Sequence, residues 1–253
     1  MVSYLNAQPL IAGLEDQPDI ELIHRVPSAL PPLLEAGQVD VALVPVIDLP
    51  ASGRVWRIVS DACIGSDGET LTVRVFSQVE PASIRTLWGD GHSHTSIALA
   101  RIIWKEQYGR SLEVVPLSEN ERIDEQEAVL LIGDKVVHAD RTAYAYEMDL
   151  GQAWRSLTSL PFVFAAWAAV DGMNVSALAT RLSEARDRGV ASISTIAAHA
   201  GPARGWPVPL AERYLTEHLQ FTMGERQRRG LSRFLSLAEG YDLVPAGGEL
   251  VFA

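Results

Sequence analysis

PFVFAAWAAV, residues 161–170, is the longest apolar run in the chain, and the interpretation of the fold depends on it. A helix needs about 20 apolar residues to cross a bilayer, so this shorter run is interpreted as a buried strand. It follows a second set of alternating strands and helices and precedes a mostly helical tail. We therefore expect the chain to leave a first α/β unit, form a second one and return to the first at this strand.

The first unit alternates short apolar runs with helical stretches, which predicts βαβ units and a largely parallel sheet. The spacing of apolar residues predicts strands at Val2–Leu5, Glu21–Val26 and Val39–Val44, with helices at Pro9–Leu14 and Ser28–Ala36. Two further extended segments, Arg54–Val59 and Thr70–Phe76, flank the glycine-containing turn IGSDGE.

The second unit repeats the alternation and leads into the tail. Its predicted elements are strands Ile84–Trp88, Leu112–Val115 and Ala128–Ile132 and the amphipathic helix Thr95–Glu106, and the tail has helices Val175–Arg186, Ile193–Ala198, Pro209–His218 and Gly224–Leu237. We expect two lobes, residues 1–77 with 166–253 and residues 78–165, with a cleft between them. Such clefts are preferred binding sites for small molecules.

Composition and charge exclude several classes of protein. Of 253 residues, 47% are hydrophobic, which is typical of a globular protein with a full core. Lys and Arg number 21 against 32 Asp and Glu, and a net charge of −11 argues against a nucleic-acid partner. The single cysteine, Cys63, has apolar neighbours and is interpreted as a buried small hydrophobe. With no secretory signal or membrane span recognised, we expect a cytoplasmic location.

Several sequence motifs of common enzyme chemistries are absent: the phosphate-binding GxxxxGK[ST] and GxGxxG loops, HExxH, CxxC and GxSxG. His92 and His94 form an HxH pair, which has the spacing of a metal site. No third ligand is evident, so we interpret the pair as part of a hydrated loop and predict no metal.

Two stretches place polar side chains where a ligand would bind. In GDGHSHTSIALARII, residues 89–103, Ser93, Thr95 and Ser96 lie where a strand gives way to a helix N-terminus, which favours an anion such as a carboxylate. A plain helix cap by Ser93 or Thr95 explains the same residues. In VSYLNAQPL, residues 2–10, Asn6 ends the first predicted strand, either as a turn residue or as a ligand-binding amide.

Six motifs occur in the order and spacing of the chorismate dehydratase family, which the chain resembles clearly over residues 2–170 and by length in its tail. They are VSYLNAQPL, VDVALVPVIDL from 39, IGSDG…VRVFS at 64–77, SHTSIALARII from 93, LLIGDKVV from 130 and DLGQAWRSLTSLPFVFAAWA from 149. The resemblance implies a two-lobed fold like that of type II periplasmic binding proteins, with a ligand cleft between the lobes and a helical C-terminal part.

The resemblance also implies an activity and a site. The family's enzymes eliminate water from chorismate, a dicarboxylate, to give 3-[(1-carboxyvinyl)oxy]benzoate in the futalosine route to menaquinone, and they need no cofactor. Asn6 and Ser77 are then expected to be catalytic, and the residues expected to bind substrate are Ser93, His94, Thr95, Ser96, Gly133 and Asp134. Asp134 has the alternative role of a helix cap.

The chain departs from the family pattern at three positions. Gln8 stands where members often have a basic residue, Val46 where they often have serine, and His94 where SxTS often has arginine. Loss of a cation beside a dianion weakens Coulomb attraction, so these changes bear on substrate choice more than on fold. The alternatives are a 1,4-dihydroxy-6-naphthoate synthase-like enzyme of the same pathway and a non-catalytic solute-binding protein for a small carboxylate.

Overall fold

The structure is a computed structural model that describes residues 4–51, 55–91, 93–117, 123–247 and 251–252, without the side chain of Asp124. Two sheets divide the protein into two lobes. The first lobe holds strands β1 (Ala42–Pro45), β2 (Trp56–Ser66), β8 (Phe162–Val170), β9 (Gln220–Thr222) and β10 (Val251–Phe252), and the second holds β3 (Val73–Ser77), β4 (Thr86–Gly89), β5 (Glu113–Pro116), β6 (Ala128–Ile132) and β7 (Tyr146–Asp149).

Strand β8, which is formed by the apolar run at 161–170, lies inside the first sheet. It pairs antiparallel with β1 on one side and with β2 on the other, and Leu43 lies opposite Trp167. Strand β2 also pairs with β9 and, in parallel, with β10. The return of the chain at this strand is as predicted. The prediction of a largely parallel sheet is wrong for this lobe, because strand β8 returns from the other lobe and runs antiparallel to both of its neighbours.

The second sheet has the order β5-β4-β6-β3-β7 and is mixed. Strand β4 runs parallel to β5 and β6, whereas β3 runs antiparallel to β6 and β7. The three strands predicted for this unit are present, and β6 has the predicted bounds. Strand β7 was not predicted, because its residues Tyr146 and Glu147 are exposed and give it no apolar run.

Eight α-helices are formed by the described residues. They are α1 (Leu30–Glu35), α2 (His94–Tyr108), α3 (Asp134–His138), α4 (Leu150–Thr158), α5 (Ser176–Ala191), α6 (Ile193–Ala200), α7 (Val208–Arg213) and α8 (Glu225–Gly240). A π-helical turn, Tyr214–His218, continues α7, so the predicted tail helices are all present. Helices α3 and α4 were not predicted.

The N-terminal predictions are corrected in part. Leu5–Ile11 is a 3-10 helix with Pro9 inside it, so the strand predicted at Val2–Leu5 does not reach Leu5, and its first two residues lie outside the described part of the chain. Glu21–Val26 is not a strand, and only Arg25 makes a bridge. Its Leu22 packs against the core while partly exposed, without a strand ladder to extend the sheet.

The chain crosses between the sheets twice, between Ser66 and Val73 and between Asp149 and Phe162. The buried Asp149 carboxylate accepts hydrogen bonds from the Thr70 backbone and hydroxyl, from Leu71 N and from Gln152 N, at 2.9 to 3.1 Å. One side chain thus ties the two crossings together. The lobe limits at 77/78 and 165/166 stay a prediction, and sheet membership favours placing each limit inside a crossing.

Cys63 is a free, fully buried thiol, as expected for a small hydrophobe. Burial raises its pKa to about 12, with a smaller lowering effect of Arg186, so the thiol is neutral at physiological pH. Within the described residues, no helix has the length and apolar character that crossing a bilayer requires.

Candidate functional site

A narrow pocket of about 60 Å³ lies between the two lobes. Its walls carry hydroxyl, amide and apolar groups, and none of the described residues that line it carries a formal charge. The lining residues are Tyr4, Asn6, Pro27, Pro45, Ile64, Thr70, Thr72, Val73, Ser93, Thr95, Ser96, Ile132, Gly133, Phe164, Ala165, Tyr214 and Leu219. Five of the eight predicted site residues are therefore brought together here.

One wall is the N-terminus of helix α2. Ser93 caps this helix, because its Oγ accepts a hydrogen bond from Ser96 N (3.3 Å) and donates one to Ser96 Oγ (2.7 Å). Both serines are buried and line the pocket. The capping interpretation is thus confirmed, and the same residues also face the cleft, where the positive end of the helix dipole favours an anion.

Thr95 joins the two lobes at this wall. Its Oγ1 donates to the carbonyl oxygen of Phe164 (3.2 Å) and accepts from Ile47 N (3.4 Å), and both partners belong to the first lobe. The side chain is 1% exposed. Its hydroxyl therefore fixes the helix N-terminus against the first lobe.

His94 lies beside the pocket and does not line it. Its half-exposed ring hydrogen-bonds through Nδ1 with Asp48, which follows strand β1 in the first lobe. The hydrogen bond with Asp48 raises the pKa of His94, against a smaller lowering by burial. His92, the other half of the HxH pair, lies outside the described residues. No cluster of three or more potential metal ligands is found among the residues that the structure describes.

The facing wall carries Asn6, from the 3-10 helix Leu5–Ile11. Its Oδ1 is buried and has no hydrogen-bond partner among the described residues. The Tyr214 hydroxyl shares a 2.8 Å hydrogen bond with Thr72 Oγ1. Burial raises the pKa of Tyr214 well above its ordinary value, while hydrogen bonds with Thr72 and Asn6 act in the opposite direction. Tyr214 is therefore a neutral phenol that can donate a proton to a hydrogen bond.

Gly133 lets Tyr4 approach the backbone of the second lobe. It adopts φ +59°, which favours glycine, and a Cβ there would lie 3.1 Å from the Tyr4 ring. Burial, with the nearby carboxylates of Asp90 and Asp134, raises the pKa of Tyr4 well above its ordinary value. Gly133 thus shapes the pocket by its lack of a side chain.

Ser77 is not placed at the pocket, which corrects the prediction. Strand β3 starts at Val73, which lines the pocket, and Ser77 ends the strand about 13 Å away at strand rise. The Ser77 Oγ donates to Val79 O (2.6 Å) and accepts from Val79 N (3.0 Å), so it closes a turn. The threonine hydroxyls at the crossing, on Thr70 and Thr72, take the place expected for it.

Asp134 does not line the pocket either, although its neighbour Gly133 does. Its Oδ1 accepts a hydrogen bond from Trp206 Nε1 at 2.8 Å. Gly133, not Asp134, is the N-cap residue of α3, so the capping alternative is also wrong. Burial raises the pKa of Asp134, and the largest opposing effect is the Trp206 hydrogen bond.

Sequence reasoning missed the two tyrosines and the two threonines of the pocket. Tyr4 stands two positions before Asn6 in the SYLN motif, and this proximity to Asn6 was the one available signal. Tyr214 lies in a helical tail where apolar and aromatic spacing predicts only a buried face. Thr70 and Thr72 sit in an extended crossing, whose direction relative to the cleft depends on the lobes.

A protein-family model described as menaquinone biosynthesis matches residues 1–240, which is most of the chain. The chain belongs to this menaquinone biosynthesis family. The curated chorismate dehydratase of Thermus thermophilus is similar to it, with 26% identity over 248 residues, covering 91% of each protein. The family resemblance stated from the sequence is confirmed.

Solved structures show the fold of this family member. A protein from Archaeoglobus fulgidus superposes with a TM-score of 0.73 at 15% identity, over 96% of this chain and 97% of that one. The alkanesulfonate-binding protein SsuA from Xanthomonas axonopodis pv. citri gives a TM-score of 0.70 at 11% identity, over 98% and 96%. The predicted two-lobed fold of the type II periplasmic binding proteins is confirmed.

Proposed function

We propose that this protein is a chorismate dehydratase, a hydro-lyase that removes water from chorismate to give 3-[(1-carboxyvinyl)oxy]benzoate for menaquinone biosynthesis. The pocket between the lobes carries the proposal, because the helix N-terminus with Ser93 and Ser96 and the side chain of Asn6 line one small cavity. Membership of the menaquinone biosynthesis family and the similarity to the Thermus thermophilus enzyme support the same reaction.

One carboxylate of the substrate binds at the N-terminus of α2 in this proposal. A helix N-terminus holds anions through backbone N–H groups and its dipole, so a carboxylate needs no lysine or arginine there. The Ser96 hydroxyl accepts the Ser93 proton at 2.7 Å and keeps its own proton, so it adds one further donor at the same place. The uncharged lining therefore suits a substrate whose charges are met by oriented dipoles.

Asn6 and Tyr214 hold the part of the substrate that reacts. The reaction breaks the C4–O bond of chorismate and removes the proton at C3, and the products are the aromatic ring and one water molecule. Oriented donors near the departing hydroxyl stabilise the charge that develops on its oxygen. Asn6 supplies the amide N–H groups and Tyr214 a neutral phenol, and both line the pocket.

The substrate itself supplies the proton acceptor in this proposal. No Asp, Glu, His or Lys side chain is among the described residues that line the pocket. The enolpyruvyl carboxylate of chorismate takes the C3 proton, the C3–H electron pair forms the ring double bond as the C4–O bond breaks, and the departing hydroxide receives that proton and leaves as water. The protein then contributes through placement of the substrate and through fixed dipoles, and the gain of aromaticity drives the elimination. We predict no cofactor, and the cytoplasmic location stays a prediction.

The test is to mix the purified protein with chorismate and follow the products by mass spectrometry and ultraviolet absorbance. We expect an aromatic product that is lighter than chorismate by one water. Ser96→Ala is expected to raise KM, since it removes a donor at the carboxylate site. Gln17→Ala, which removes an amide outside the pocket, is the control that keeps wild-type turnover. Saturable binding of chorismate with no product would favour the solute-binding alternative and overturn the proposal.

A further inference from the structure

Asp134 and Trp206 connect the two lobes outside the pocket. Asp134 begins helix α3 of the second lobe, and Trp206 follows α6 in the tail that packs on the first lobe. The Trp206 indole is 2% exposed and donates its N–H to Asp134 Oδ1 at 2.8 Å. An indole has one donor and no acceptor, so loss of this carboxylate leaves a buried N–H without its partner.

Trp206 also contacts Tyr214, which lines the pocket. The two rings are stacked, with centroids 4.9 Å apart and an interplanar angle of 23°. Tyr214 lines the pocket, and its hydroxyl shares the hydrogen bond with Thr72 at the start of the second sheet. The series Asp134, Trp206, Tyr214, Thr72 therefore starts in the second lobe, passes through the tail and ends in the crossing just before strand β3, so it spans the junction between the lobes.

The Asp134 carboxylate also acts on the segment that carries Asn6. The backbone N–H of Leu5 lies close to the Asp134 carboxyl and acts to lower its pKa, and Leu5 opens the 3-10 helix whose second residue is Asn6. Asn6 presents a buried Oδ1 that no described residue satisfies. The Asp134 carboxylate thus contacts the segments that hold Asn6 and Tyr214, the two polar side chains that the first lobe offers to the substrate.

We propose that Asp134 and Trp206 are positioning residues: closure of the lobes forms their hydrogen bond, and this bond sets Asn6 and Tyr214 in their reactive positions. The inference rests on the proposed dehydratase function for its kinetic consequence, and on the contacts above for its structural one. Neither residue touches the substrate. Their loss is therefore expected to lower kcat more than it changes KM, because the helix N-terminus that binds the carboxylate is left in place.

The test compares Asp134→Ala, Asp134→Asn, Trp206→Phe and the double variant Asp134→Ala/Trp206→Phe with wild type. We expect kcat to fall by about 10-fold or more in Asp134→Ala and in Trp206→Phe, by analogy with lost positioning contacts. The double variant is expected to be no worse than the poorer single variant, since both changes break one bond. Asp134→Asn keeps an acceptor oxygen for the indole and is expected to recover part of kcat.

Trp104→Phe is the matched control. Trp104 is fully buried in helix α2 and donates its indole N–H to Pro81 O at 2.8 Å, within the second lobe. Trp104→Phe therefore removes a hydrogen-bonded indole N–H, as Trp206→Phe does, but it breaks no bond between the lobes. We expect a lower melting temperature and an unchanged kcat. Equal losses of kcat in both tryptophan variants, or additive losses in the double variant, would overturn the positioning role.

Hydrogen exchange separates this inference from the proposed function. In Asp134→Ala, amides of the segment Leu5–Ile11 are expected to exchange faster than in wild type, whether or not chorismate is the substrate. If wild type fails to dehydrate chorismate but this exchange still rises, the proposed reaction is wrong and the positioning of Asn6 by Asp134 stands. If folded Asp134→Ala shows unchanged exchange in this segment, the positioning role is wrong, whatever the reaction.

Discussion

His94 Nδ1 in the second lobe lies 3.0 Å from both carboxylate oxygens of Asp48 in the first lobe. This pair joins the lobes beside the pocket, and the Asp134–Trp206 bond joins them at a second contact. His94 occupies the variable position of SHTS, between Ser93 and Thr95, whose side chains line the pocket. His94 thus fastens the lobes, and its expected contact with substrate stays a prediction.

The His94–Asp48 pair makes stability depend on pH. The hydrogen bond with Asp48 raises the pKa of His94, so the folded protein holds the imidazole proton more tightly than the unfolded chain does, where the pKa is about 6.5. The pair therefore contributes its full stabilisation below about pH 6.5, and this contribution is lost as the pH rises through the raised pKa.

The measurement is the melting temperature of wild type and His94→Gln between pH 5.5 and 8.5. The difference between the two proteins is expected to be largest at the acid end and to shrink toward pH 8.5. His199→Gln serves as the control, since the His199 ring hydrogen-bonds with the Thr195 carbonyl of its own helix and makes no described bond between the lobes. A difference that stays constant with pH would show that the pair is not charged.

Asn6 is expected to govern turnover. Asn6→Ala should lower kcat by about 10²-fold or more, as for other lost oriented donors, while the fold survives. Asn6→Asp should also be poor, because it replaces donors with a negative charge near a dianion. Turnover and melting temperature are measured together. A turn or cap role predicts the reverse, a loss of about 1 kcal/mol of stability with turnover of the folded fraction nearly unchanged.

Gly189 is expected to tolerate no side chain. It lies in helix α5, and a Cβ there would be 1.9 Å from the carbonyl oxygen of Pro9, in the same 3-10 helix as Asn6. Gly189→Ala should cost about 1–3 kcal/mol through overpacking, and it should lower kcat by displacing that helix. Gly240→Ala, at the open end of α8, should leave both unchanged or raise stability slightly. Thermal melts and kinetics of the two variants check this.

Activity is expected to be independent of metal ions. The described residues that line the pocket offer hydroxyl and amide groups, which are poor ligands for zinc. Turnover of chorismate after treatment with EDTA should therefore equal that of untreated protein. Activity that disappears with chelator and returns with zinc would contradict this expectation and would return the His92–His94 pair to the role of metal ligands.

The parts of the site that could be predicted from sequence depend on near neighbours in the chain. Ser93 caps α2 because its hydroxyl reaches the backbone three residues on, and the apolar spacing that follows predicts the buried face of that helix. The run at 161–170 is equally local, since its length and apolar character already require a buried strand. Such features follow from backbone geometry within a few residues.

The tertiary structure alone decided the rest. Asn6 and Tyr214 line the same pocket although they are 208 positions apart in sequence, and no pattern along the chain specifies that a tail helix returns to the N-terminal segment. Ser77 was misplaced because alternation along a strand indicates which face a residue occupies, not which end of the strand reaches the cleft. Asp134 was expected to bind substrate or to cap a helix, yet its partner is an indole from the tail that packs on the other lobe. Local propensities set the elements of this protein, whereas the direction of its strands and the contacts between lobes follow from packing the whole chain.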